Sequence, residues 1–148
     1  MSALVFPLQE CVEANLWTGS PVRILLLKRT PQRGGFWQPV SGRVEGRDGS
    51  FPAAVRREVL EETGFRLAGP LEDLDWSYAF PGRDGRTWRV HAFAAELPGP
   101  SPPTLSDEHT EWAWLAPAEA LRTLSLPDNR DALRRLLARR SSAGFGRR

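Results

Sequence analysis

At 148 residues, 41% hydrophobic and 26% charged, the chain fits one globular domain large enough to bury a core unaided. A lone Cys11 excludes an internal disulfide, no apolar run approaches the ~18 residues of a membrane helix, and no basic-then-apolar segment opens the chain, so a soluble cytoplasmic protein is expected. The net charge of +2 hides a split: Arg134, Arg135, Arg139, Arg140, Arg147 and Arg148 lie in the last fifteen residues, which hold no acid, while residues 1–133 carry 14 basic against 18 acidic groups, a net of −4.

In chain order, a strand is expected near Leu4–Glu13, with Pro7 confining it to an edge or an irregular stretch. The apolar, partly β-branched run Val22–Lys28 predicts a buried strand. A turn-rich Thr30–Gly35 and an extended Phe36–Glu45 follow. Pro52 suits the first turn of a helix that good helix formers carry through Ala53–Thr63, and Gly64 sits where a left-handed C-terminal residue belongs. Strands are predicted over Asp73–Phe80 and Arg86–Leu97, joined by the turn Pro81–Gly85. Beyond the surface loop Pro98–Pro103, a short strand over Trp112–Leu115 precedes helices over Ala116–Leu124 and Asn129–Ala138, the second N-capped by Asp128. Strands around one early helix, with helices at the end, predict an α+β protein, an α/β/α sandwich on a mixed sheet. Residues 1–140 form the single domain and 141–148 a basic, flexible tail.

The segment Arg57–Phe65 carries the most information. Glu58 and Glu62 lie about 40° apart on one helix face, with Glu61 beside them and Arg57 one turn before Glu61. Like charges at this spacing repel by about 0.2–0.5 kcal/mol per pair even when exposed. A divalent cation removes that repulsion, and oxygen-only ligands favour a hard ion, Mg²⁺ or Mn²⁺. The plain alternative is a solvated helix face with an Arg–Glu pair. Arg29 either contacts phosphate or caps a strand edge. Phe36 and Trp37 offer faces for a heterocycle, but Trp37 fits a core position equally well. His91 and His109 lack metal-ligand spacing and read as structural, with His109 a donor toward a ligand side chain. Cys11 has no Cys or His partner and reads as an inert apolar residue. Gly34-Gly35 is a turn, not a phosphate loop.

Gly42, Asp48 and then Arg57-Glu-Val-Leu-Glu-Glu-Thr-Gly-Phe65 resemble the signature of the Nudix hydrolases. The second half matches at each defined position. The first half has Asp where the family has Glu, and one extra residue, Gly49 or Ser50, before Arg57. Arg29, the run Phe36–Gly42 (FWQPVSG) and Glu108–Trp114 (EHTEWAW) extend the resemblance over roughly residues 20–136. The order of these segments, ending at Leu126–Leu133, is most similar to the dihydroneopterin triphosphate pyrophosphatase branch, whereas Trp76–Trp88, expected to line the base pocket, departs from it.

The resemblance implies a Nudix-type sandwich that hydrolyses a nucleoside or pterin triphosphate, or another nucleoside diphosphate derivative, with Mg²⁺ (or Mn²⁺) as cofactor. It implies Glu58 and Glu62 as principal metal ligands, Glu61 as a third, Glu108 as a further ligand or the general base, and Arg57 as the residue that orients Glu61. The backbone of Gly42 or Ser41 completes the ligand set, and Arg29 and Ser41 sit where that branch contacts its substrate, with Trp37 the candidate for stacking on the base. No membrane or nucleic-acid partner is implied, and a homodimer is compatible. Two other classes are weighed against this one: a catalytically inactive Nudix-like nucleotide-binding module, and a nucleic-acid binder acting through the Arg-rich tail.

Overall fold

The computed structural model describes residues 9–146. The strands are β1 (Gln9–Thr18), β2 (Arg23–Arg29), β3 (Trp37–Gln38), β4 (Val40–Arg43), β5 (Glu72–Pro81), β6 (Thr87–Glu96) and β7 (His109–Leu115). The helices are α1 (Phe51–Thr63), α2 (Pro117–Thr123) and α3 (Pro127–Gly146). All seven strands join one sheet with the path β3-β2-β1-β6-β5, β4 pairing with β1 and β7 with β2. The β1–β6 pair is parallel and the remaining pairs are antiparallel, so the sheet is mixed as expected.

Alternation along the strands divides the core in two. Val12, Ala14, Leu16, Leu25, Leu27 and Val40 pack with Ala54, Val55 and Val59 of α1 on one face. Trp17, Ile24 and Leu26 pack with Ala120 and Leu124 near α2 and Leu133 and Leu136 of α3 on the other. Helices thus cover both faces, the α/β/α sandwich read from the sequence.

The first strand lies further along than the sequence indicates. Leu4–Leu8 fall outside the described residues, and β1 runs on to Thr18. Glu13 and Asn15 interrupt the apolar pattern there, yet both are buried. Glu13 Oε1 accepts from Tyr78 Oη at 2.6 Å and Asn129 Nδ2 at 2.8 Å, and Oε2 accepts from Asn15 Nδ2 at 2.9 Å. Burial raises the Glu13 carboxyl above its ordinary range despite these donors. His91 is structural, with Nε2 2.7 Å from Glu10 Oε2 and its ring stacked on Phe51. Burial pushes the Cys11 thiol up to about 11, consistent with an unreactive residue.

The C-terminal helix departs from expectation at both ends. Pro127, whose fixed φ suits a first helical residue, opens α3, so Asp128 sits inside the first turn and is not the N-cap. The helix continues past Ala138 to Gly146, taking in residues 141–146 of the expected tail, because no proline interrupts it. Three of its arginines are engaged with β5. Arg135 Nε donates to Leu74 O, Arg139 reaches Asp73 O, Glu72 and Asp75, and Arg140 reaches Glu72. These contacts clamp the irregular part of β5 between Asp73 and Ser77, where Asp75 has φ +52°.

Candidate active site

Ser50 caps α1, its Oγ accepting from Ala53 N, and Gly64 closes the helix at φ +78°. The helix face between these ends holds Glu58, 8% exposed, and Glu62, 1% exposed. Opposite lies Gly42 of β4. A Cβ there would overlap the Glu58 carboxylate, so only glycine lets that carboxylate lie against the strand. Neither Glu62 Oε1 nor Oε2 has a hydrogen-bond partner. Burial, then the adjacent Glu58 carboxylate and the Glu108 charge, push Glu62 up to about 10, with Arg29 opposing.

A buried carboxylate with no donor is costly unless it is protonated or faces a cation. Oxygen-only donors, an orphaned acid and the open space left by Gly42 fit a hard divalent ion. Among the described residues, no three His, Cys, Asp or Glu side chains are already arranged to hold one by themselves. Glu58 and Glu62 meet. Glu61 and Glu108, the other two expected carboxylates, are each met by an arginine. Glu61 Oε1 lies 3.1 Å from Arg57 Nη1, and Glu108 Oε1 lies 3.7 Å from Arg33 Nη1.

Arg57 organises more than Glu61. Its Nε and Nη2 donate to Asp48 Oδ1 and Oδ2 at 2.7 and 3.0 Å, Nη1 donates to Glu58 at 2.8 Å, and Nη2 to Arg43 O at 2.9 Å. The bidentate pair holds Asp48 down to about 2 and Arg57 above its ordinary value. The extra residue before α1 is absorbed by a 3₁₀ turn, Gly46–Asp48, closed by Gly49 at φ +76°. Glu45 N donates to Asp48 Oδ2 at 2.7 Å, and Glu45 Oε2 lies 3.6 Å from Arg57.

The remaining predicted residues divide. Arg29 is near enough for its charge to act on Glu62 and Glu108, and it donates through Nε to Arg33 O at 2.9 Å. Ser41 is registered opposite Glu13, and strand alternation puts it on the face away from Gly42 and Glu58. Trp37 packs against the second core cluster, the core alternative for that residue. His109 is buried, with Nε2 3.1 Å from Gln38 Nε2 and Nδ1 3.7 Å from Glu62 Oε1. Burial, with Arg29 and Arg33, lowers it to about 4, so its ring is neutral.

The pattern of the NUDIX domain matches residues 16–137. The chain belongs to the Nudix family. This Nudix chain is 37% identical over 124 residues to the octanoyltransferase of Myxococcus xanthus, covering 81% of this chain but 34% of the relative, so it spans about a third of that protein's length. It is 29% identical over 141 residues to the RNA pyrophosphohydrolase of Dinoroseobacter shibae, covering 84% of this chain and 86% of that one. The E. coli dihydroneopterin triphosphate pyrophosphohydrolase superposes with a TM-score of 0.73 at 25% identity over 84% of this chain and 91% of that one. A C. elegans Ap4A hydrolase superposes at 0.78 and 20% identity over 91% and 99% of the two chains, a likeness of fold.

Sequence reasoning passed over two participants in this Nudix site, Glu45 and Gln38, and named Asp48 without its partner. The Asp48 pairing was obscured by the extra residue before Arg57. Glu45 and Gln38 gave no signal beyond lying in the extended segment Phe36–Glu45.

Proposed function

We propose that this chain hydrolyses a nucleoside or pterin triphosphate, or another nucleoside diphosphate derivative, with Mg²⁺. Water adds at phosphorus, a phosphoanhydride P–O bond breaks, and a triphosphate yields monophosphate and pyrophosphate. The observation that carries this reading is Glu62: both carboxylate oxygens are buried and unpartnered, beside Glu58 in the cradle that Gly42 leaves open. Similarity to the E. coli pyrophosphohydrolase and to the Dinoroseobacter enzyme supports the substrate class.

In this reading Glu58 and Glu62 hold the ion, with the Gly42 or Ser41 backbone. Bound Mg²⁺ neutralises the polyphosphate and acidifies water. Arg57, fixed by Asp48, keeps Glu58 and Glu61 in place. Glu61 and Glu108 are the solvent-reachable carboxylates able to take the water's proton, and Arg29 offers its charge to phosphate. Pyrophosphate release from a panel of nucleoside triphosphates and dihydroneopterin triphosphate in Mg²⁺ tests the proposal. Silence across the panel leaves the inactive nucleotide-binding module as the better reading.

A further inference from the structure

Beneath Glu62 lies a short polar line that the reaction as described does not use. Gln38 of β3 and His109 of β7 flank β2, opposite Leu27 and Arg29 respectively. Leu27 belongs to the core beneath α1, and Arg29 lies two residues on, so Gln38 and His109 share the face that meets Glu62. His109 reaches that face through a register break. Lys28 pairs with Glu111, but Arg29 pairs with His109, which leaves Thr110 as the extra residue of a bulge. An unbroken ladder would place Thr110 opposite Arg29. The bulge instead buries His109 and exposes Thr110, the re-aiming of a side chain that bulges achieve next to functional sites.

The chemistry of the line follows from its donors. The Gln38 amide nitrogen lies against His109 Nε2, a pairing in which Nε2 accepts only in the Nδ1–H tautomer. Nδ1 and Glu62 Oε1 face each other across 3.7 Å, both buried and neither with a hydrogen-bond partner. Closing that gap by under 1 Å would give Glu62 Oε1 a donor and leave Oε2 free. We propose that His109 is a positioning residue: with Gln38 fixing its tautomer, it presents Nδ1–H to Glu62 Oε1 and aims Oε2 at the cation.

This inference rests on the cation reading of the acidic site. Three measurements test it. First, ¹⁵N spectra of the His109 imidazole in the metal-free protein should show the Nδ1–H form, and an Nε2–H ring overturns the proposal. Second, Mn²⁺ titration followed by electron paramagnetic resonance should show His109→Asn, whose amide nitrogen replaces Nδ1, binding close to the wild type. His109→Gln, which replaces Nε2 instead, should bind roughly 10–100-fold more weakly, the range for losing a partner that orients a ligand. Equal effects of the two substitutions, or the reverse order, overturn it. Third, if either variant melts early, Gln38→Met supplies the same reading with the histidine intact: weaker Mn²⁺ binding supports the proposal and unchanged binding overturns it. Glu62→Gln separates the two levels. If it abolishes Mn²⁺ binding while both His109 variants bind like the wild type, only the positioning role fails; if the wild type binds no Mn²⁺, the cation reading fails with it.

Discussion

Gly42→Ala isolates the geometry on which the site depends. Gly42 has no positive φ, so the substitution introduces no backbone strain and its whole effect is steric. In an open strand it would be neutral or stabilise by about 0.4–1 kcal/mol through the unfolded chain. Here the new Cβ would collide with all three heavy atoms of the Glu58 carboxylate. Glu58 is 8% exposed and bonded to Arg57 at 2.8 Å, so it cannot simply swing into solvent. Relieving an overpacked contact of this kind costs about 1–3 kcal/mol, which exceeds the unfolded-state gain, so thermal unfolding should show net destabilisation. Displacing a metal-holding carboxylate by about 1 Å should lower turnover on the order of 100-fold, equivalent to about 2.7 kcal/mol in the barrier. Gly46→Ala is the control, since a Cβ there meets nothing within 4 Å. Combining Gly42→Ala with Glu58→Asp should recover stability without recovering turnover. Wild-type turnover in Gly42→Ala would refute the cradle argument.

Three further outcomes follow from the site and its frame. Asp48 is held at about 2, below its unfolded value near 4, so its contribution is present above about pH 4 and lost as the pH falls toward 2; Asp48→Asn should flatten the melting temperature over that window. Glu62 is pushed the other way, up to about 10, so without metal its burial costs stability increasingly as the pH rises from about 4 toward 10; in chelator, Glu62→Gln should melt higher than the wild type at pH 8, and a lower melt would contradict the assignment. Arg139→Ala removes donors to Glu72, Asp73 O and Asp75, so hydrogen exchange in β5 should quicken around Asp73–Ser77, with a loss of about 1 kcal/mol or less because the ion pairs are half-exposed.

The helix that carries the site was legible because its signals are local. Ser50, Pro52 and Gly64 mark its ends, and the spacing of Glu58 and Glu62 sets one face. What escaped was decided by partners distant in the chain. β1 was placed early because Glu13 and Asn15 look like surface residues until Tyr78 and Asn129 arrive to bond them. Glu61 belongs to the acidic run by spacing and is bonded to Arg57, one turn earlier, through the same Nη1 that holds Glu58. The C-terminal helix was ended at Ala138 because the acceptors of the next arginine, Arg139, are Glu72 and Asp75 on a strand some 65 residues earlier. His109 resembled a core histidine and is one; its bearing on Glu62 depends on the bulge at Thr110.

The central claim is that Glu58 and Glu62 recruit a divalent cation for phosphoanhydride hydrolysis. The most direct test titrates Mg²⁺ into the wild type and Glu62→Gln while following pyrophosphate release from dihydroneopterin triphosphate and nucleoside triphosphates. The account predicts turnover that is absent in chelator, saturates with Mg²⁺ in the wild type, and falls by orders of magnitude in Glu62→Gln with the fold intact. Turnover in Glu62→Gln equal to that of the wild type, or hydrolysis indifferent to chelator, would contradict it.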